Sequence, residues 1–156
     1  MLSFVALLYG LGHVVFERWA VGPIDAFHAS LLGGLLDIAG IPTRVQGDRI
    51  ASARFTMEFI PECTAWNVFA IYAAAVLAFP VSLRKRAIGL ISGLPAIFVF
   101  NQVRLVGLFL IGIHRRGDYE LIHLHILQPT VVAFTLGVFL WWSQSTSASR
   151  PGSAPR

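Results

Sequence analysis

Charged residues are absent from four stretches of the chain, 64–83, 87–103, 105–113 and 126–142, and these are also its most apolar segments. A bilayer core takes about 20 consecutive apolar residues per helix. The pattern therefore predicts membrane spans over 64–83, 87–113 and 124–142, with a further apolar helix over 1–16 that ends at Glu17 and Arg18. Residues 23–40 are mixed. Asp25, His28 and Asp37 interrupt Leu31, Leu32, Leu35, Leu36 and Ile38, which recur near helical spacing, and an interfacial or partly inserted helix is expected. Residues 42–62 are more polar, with Gly47-Asp48 as a turn. Phe55, Met57 and Phe59 then alternate with Thr56, Glu58 and Ile60, which predicts a short strand-like hairpin on the extracytoplasmic membrane surface. Pro80 breaks the span over 64–83, and Pro95 lies where it can kink the next one. Residues 114–121 read as a short polar loop, Trp141 and Trp142 as an interfacial aromatic belt, and 143–156 as a disordered cytoplasmic tail. The expected fold is an all-α integral membrane helix bundle, about four to five membrane helices plus the hairpin. It forms a single membrane domain over 1–142.

Composition narrows the class. Of 156 residues 56% are hydrophobic and only 13% charged, with a mean hydropathy of +0.70. A soluble domain carries about 25% charge, so little room is left for one. Stability must come from helix packing in lipid. A net charge of +4 would point a soluble protein towards nucleic acid. Here the basic run Arg84-Lys85-Arg86 lies between two apolar spans, which is explained by the positive-inside rule, and no nucleic-acid partner is expected. With that run inside, 64–83 runs inward, 87–113 outward and 126–142 inward. Cys63, His114, His123 and His125 then gather on the outer face. If 1–16 spans and 23–40 does not, the N-terminus is inside; if both span, it is outside. Residues 1–16 lack the basic start of a cleavable signal.

The chemistry is confined to few residues. A single cysteine excludes an internal disulfide and leaves either inert filling or a reactive thiol. Cys63 directly precedes an apolar helix, whose free N–H groups would enrich the thiolate. Position alone does not separate this from a buried, unreactive cysteine. Arg104 interrupts an apolar helix, with Asn101 one turn earlier on the same face. Counting from Ile113, it lies about 13 Å below the outer end, where insertion costs about 2.5–3.5 kcal/mol. Such an arginine faces a cavity, pairs with Glu58, Glu62 or Asp118, or snorkels outward. His123 and His125 open the last helix two residues apart, so at most one faces Cys63. Either could shuttle a proton, and either alone is more readily an ordinary interfacial histidine. His13, His28 and His114 are scattered without metal-ligand spacing, so no metal and no cofactor is expected. Paired carboxylates for an aspartyl site are missing. Gly33-Gly34 lacks the Lys and Ser/Thr of a phosphate loop, and no Gly-x-Ser-x-Gly elbow occurs.

In order and spacing these residues resemble the exosortase/archaeosortase family over about residues 30–142, here in a compact form. The carrying motifs are Glu62-Cys63-Thr64-Ala65-Trp66-Asn67, then Asn101-Gln102-Val103-Arg104, then His123-Leu124-His125-Ile126-Leu127-Gln128. The residue after the Cys-Thr pair is usually Gly in that family and is Ala65 here. The resemblance implies a multi-pass protein of a bacterial-type plasma (inner) membrane whose active site faces outward. It implies a membrane cysteine transpeptidase that cleaves the C-terminal sorting-signal helix of secreted proteins and passes them to an acceptor in the cell envelope. Cys63, Arg104 and His123 would be catalytic; His125, Asn101, Glu62 and Thr64 are alternative or supporting residues. A peptidase that hydrolyses without transfer, a non-catalytic small membrane subunit or assembly factor with a structural intramembrane Arg104, and, least favoured, a small transporter are the competing readings.

Overall fold

The structure, a computed structural model, describes residues 22–59 and 61–147. The span expected over 1–16 and the end of the tail, 148–156, lie outside those residues. Helix α1 runs over Gly22–Ile38, followed by strands β1 (Arg44–Gln46), β2 (Arg49–Ala51) and β3 (Thr56–Glu58). A one-turn helix α2 (Pro61–Thr64) leads into α3 (Trp66–Ala78) and then α4 (Leu83–His114). A short 3₁₀ turn at Arg116–Asp118 precedes α5 (Tyr119–Ile122), a π-helical turn over His123–Leu127, and α6 (Gln128–Ser147).

These elements fall into two compact units. The first holds the described residues up to Thr64 together with Leu105–Arg116, the C-terminal third of α4. Its sheet is an antiparallel meander in the order β1-β2-β3, pairing Val45 with Ile50 and Ile50 with Met57. Gly47, at φ 61°, makes the tight β1–β2 turn that an L side chain would resist. The alternation read over 55–59 separates the two faces of the chain: Phe55, Met57 and Phe59 are buried and Thr56 and Glu58 exposed. A period of two requires this wherever one face of a strand is covered. Phe55 packs edge-on against Phe109 of α4 at 5.6 Å, against Gly112, and beneath the Arg116 guanidinium, which also donates to the Arg54 carbonyl. Against the same face of the sheet, where Val45 and Ile50 point, α1 buries Ala29, Leu32, Gly33 and Leu36 in one stripe. Gly33 lets Val45 come within contact, and the Asp37 carboxylate accepts from the backbone and hydroxyl of Thr43.

The second unit contains Ala65–Arg104 and the residues from Gly117 onward. Its core is Tyr72, Val76, Ile97 and Trp142. Trp142 was expected at the membrane interface. It is instead buried over Gly89 and donates its indole N–H to the Lys85 carbonyl at 3.2 Å, while Trp141 is exposed. Adjacent helical residues point about 100° apart, so only one of the pair could serve as an outward-facing belt. Lys85 closes the same end by donating to the Thr146 carbonyl, one of the orphan acceptors at the end of α6, and Arg86 donates to Phe79. Phe100 and Phe134 stack at 4.0 Å between α4 and α6.

Element lengths differ from those expected. α4 begins at Leu83 rather than 87 and takes in the basic run; with 32 residues it is about 48 Å long. α3 has 13 residues, about 20 Å, because Pro80 ends it early, and this is short of the ~30 Å hydrocarbon core. The polar stretch 114–121 is largely helical, and α6 continues to Ser147 into the segment read as a tail. Among the described residues, two helical segments, Leu83–His114 and Arg116–Thr146, are long and apolar enough to cross a membrane.

Gly93 lies directly beneath the Tyr72 ring, whose hydroxyl donates to the Gly89 carbonyl at 2.9 Å. Gly93→Ala is expected to cost about 1–3 kcal/mol by overpacking, and Tyr72→Phe about 1 kcal/mol from one lost hydrogen bond. Thermal unfolding in detergent, followed by circular dichroism, checks both.

Candidate active site

Cys63 is the third residue of the one-turn helix α2, not the first of a long helix. It is 1% exposed, as is Thr64. Between them and α3 stands Ala65 at φ 56°, ψ 25°, a left-handed conformation uncommon for a residue with a Cβ. The Ala65 carbonyl accepts the backbone N–H groups of Val68 and Phe69, but its side chain cannot cap the helix. The chain therefore turns sharply one residue after the Cys-Thr pair. Cys63 does precede the apolar helix as expected, but the expected enrichment of its thiolate by that helix's free N–H groups is corrected, since those groups belong to α3, beyond the turn. The family's usual Gly at this position is the residue a left-handed backbone favours. Ala65 keeps the conformation and bears the strain.

The other candidates lie in the second unit. Asn101 (0% exposed), Gln102 and Arg104 (each 5%) are buried on α4, while Val99 and Val103 are exposed on its opposite side. Arg104 donates through Nη1 to Asn101 Oδ1 at 3.1 Å, joining the two residues that the sequence places one turn apart. In a helix otherwise free of charge over 87–113, the guanidinium points inward rather than into lipid.

His123 and His125 part company in the π-helical turn: His123 is buried beside the Tyr119 ring at 5.8 Å, and His125 is exposed. The backbone N–H of Gln128 reaches back five residues to the His123 carbonyl, which defines the wide turn. Such π turns often occur at functional sites. The Oε1 of Gln128 is buried with no hydrogen-bond partner among the described residues. The side chain of Glu62 lies outside the described residues.

Residue-by-residue reasoning passed over Gln102 and the pair Asp25 and His28, which α1 buries at 5% and 3% exposure. Their three-residue spacing, in phase with Ala29, Leu32 and Leu36, was the available signal. No three His, Cys, Asp or Glu side chains cluster to hold a metal among the described residues.

The described residues are mostly helical, with two helices long and apolar enough to cross a membrane and a guanidinium turned inward, an arrangement consistent with a helical membrane protein. The sequence matches the model of the transmembrane exosortase family (Exosortase_EpsH) over residues 1–143, and the chain belongs to that family. No curated protein and no solved structure matches it.

Ala65→Gly is expected to stabilise the protein by about 1 kcal/mol by relieving the left-handed strain. Ala65→Val, with a β-branch at the same φ, destabilises it. The order of the three melting midpoints in one detergent checks the assignment.

Proposed function

We propose that the protein is a membrane cysteine transpeptidase acting on secreted proteins that end in a sorting motif, an apolar helix and a basic tail. Membership of the exosortase family over 143 residues carries this reading. The inward-turned Arg104–Asn101 pair and the choice of His123 over His125 by burial support it.

In this mechanism the Cys63 thiolate attacks the carbonyl at the scissile bond and forms a tetrahedral oxyanion. Arg104, oriented by Asn101, stabilises that charge. His123 protonates the departing amine as the C–N bond breaks, leaving the substrate as a thioester on Cys63. An acceptor nucleophile from the cell envelope then attacks the thioester, gives up its proton to His123 and releases the thiolate. A thiol at 1% exposure keeps bulk water from the thioester, which favours transfer over hydrolysis. The basic residues Arg84, Lys85 and Arg86 orient the chain with this chemistry on the outer face of the plasma membrane.

Co-expression with a tagged substrate of that design tests the proposal. Cys63→Ala should abolish trimming, Arg104→Ala should slow it by about 10²–10³-fold, and Asn101→Ala should slow it less. Arg104→Lys keeps the charge but loses the planar fork and is expected to remain impaired. The mass of the product should show an adduct at the new C-terminus. Continued trimming by Cys63→Ala overturns the mechanism.

A further inference from the structure

Cys63 enters the mechanism above as a thiolate, and no group has yet been assigned to remove its thiol proton. The unit that contains Cys63 also contains two buried ionisable side chains with no assigned task, Asp25 and His28 of α1. They stand three residues apart, on one face. Burying a carboxyl and an imidazole at 5% and 3% exposure costs free energy that apolar residues in the same stripe would not. Helix α1 packs against β1, β2 and α2. The C-terminal half of its buried face is occupied by the sheet, through Gly33 against Val45 and Ile50 and through Asp37 with Thr43. Asp25, His28, Ala29 and Leu32 make up the rest of the stripe, and α1 also packs against α2, the turn that carries Cys63.

We propose that His28 is the base that takes the proton from Cys63 and that Asp25 is a positioning residue that orients the imidazole and offsets its charge. The inference rests on Cys63 being the nucleophile, as proposed above. The S–H bond of Cys63 breaks, its electron pair stays on sulfur, and the proton moves to a ring nitrogen of His28, giving a thiolate and an imidazolium next to the Asp25 carboxylate. Burial holds His28 below the ordinary imidazole range, so the ring is free to accept a proton while Cys63 still carries its own. Phe27 meets the His28 ring edge-on at 5.9 Å. The other charges on the packed elements are Arg44 on β1 and Arg49 on β2, both exposed, Asp37 at the exposed end of α1, and Glu62 on the turn of Cys63 itself. Arg49 is already paired with Glu58 at 3.0 Å.

Cys63 is the only thiol in the chain, so alkylation by iodoacetamide reads it alone. In the full-length protein in detergent, the pH profile of the alkylation rate should rise well below the ordinary thiol value of about 8.5. His28→Gln should move the rise towards that value and lower the rate at pH 7 about tenfold, one pKa unit. Asp25→Asn should give a smaller shift in the same direction. A change in access alone scales the whole profile without moving its inflexion. His28→Asn provides a second variant should His28→Gln fail to fold, and the wild-type profile requires no variant. A wild-type rise at the ordinary thiol value, or an unmoved inflexion in a folded His28 variant, overturns the proposal. No substrate is used, so a shifted profile combined with substrate trimming by Cys63→Ala would leave the His28 assignment standing and remove the transpeptidase.

Discussion

An arginine inside a long apolar helix fixes which way that helix faces. Insertion at mid-membrane costs about 2.5–3.5 kcal/mol, so Arg104 must be turned inward and given a hydrogen-bonding neighbour. Asn101 one turn away supplies one at 3.1 Å. Once these two define the inner face of α4, the other positions follow by helical phase. Ile97, Leu105, Leu108, Phe109 and Gly112 are buried, and Val99 and Val103 face outward. Tyr72 and Trp142 can then approach only where that face carries glycine, at Gly89 and Gly93, and Phe55 only at Gly112. Within the second unit, a single charged side chain thus shares its helix face with the glycines that Tyr72 and Trp142 meet.

Much of this was legible in the chain. Long uncharged stretches marked α4 and α6, and alternation over 55–59 separated buried Phe55, Met57 and Phe59 from exposed Thr56 and Glu58. The helical spacing of Asn101 and Arg104 foretold their hydrogen bond. What escaped depends on phase and on backbone detail. Hydropathy treats Trp141 and Trp142 alike, yet one is 67% exposed and the other 2%. A composition window cannot see that Pro80 stops α3 at 13 residues, nor that a π turn separates His123 from His125. Asp25 and His28 were read as interruptions of an apolar pattern, when they belong to its buried stripe.

Ala65 shows how local backbone strain carries positional information. The left-handed residue separates a one-turn helix ending in Cys63-Thr64 from the apolar helix that follows, so the thiol sits on a single turn before the corner rather than on the long helix. A straight continuation from Pro61 into α3 would carry Cys63 round on the regular helical screw, with its neighbours set by α3. The corner frees α2 to pack against α1 instead. Strain of this kind costs about 1–3 kcal/mol and persists only where the surroundings over-determine it. Here they do: Cys63, Thr64 and Ala65 are all buried, and the Ala65 carbonyl holds the first turn of α3.

Apolar packing and buried polar groups are separated along α4. Near its N-terminal end the contacts are apolar or close ordinary helix termini: Tyr72, Val76, Ile97 and Trp142 pack together, and Lys85 caps α6. The buried polar groups come later, at Asn101, Gln102 and Arg104. Buried amides and charges are poor contributors to stability, because desolvation offsets most of what their hydrogen bonds return. A chain with 13% charged residues nonetheless buries Asp25, His28, Arg104 and His123 at a cost in desolvation. Under the proposed mechanism that cost is met because protons must move and a developing negative charge must be held away from water.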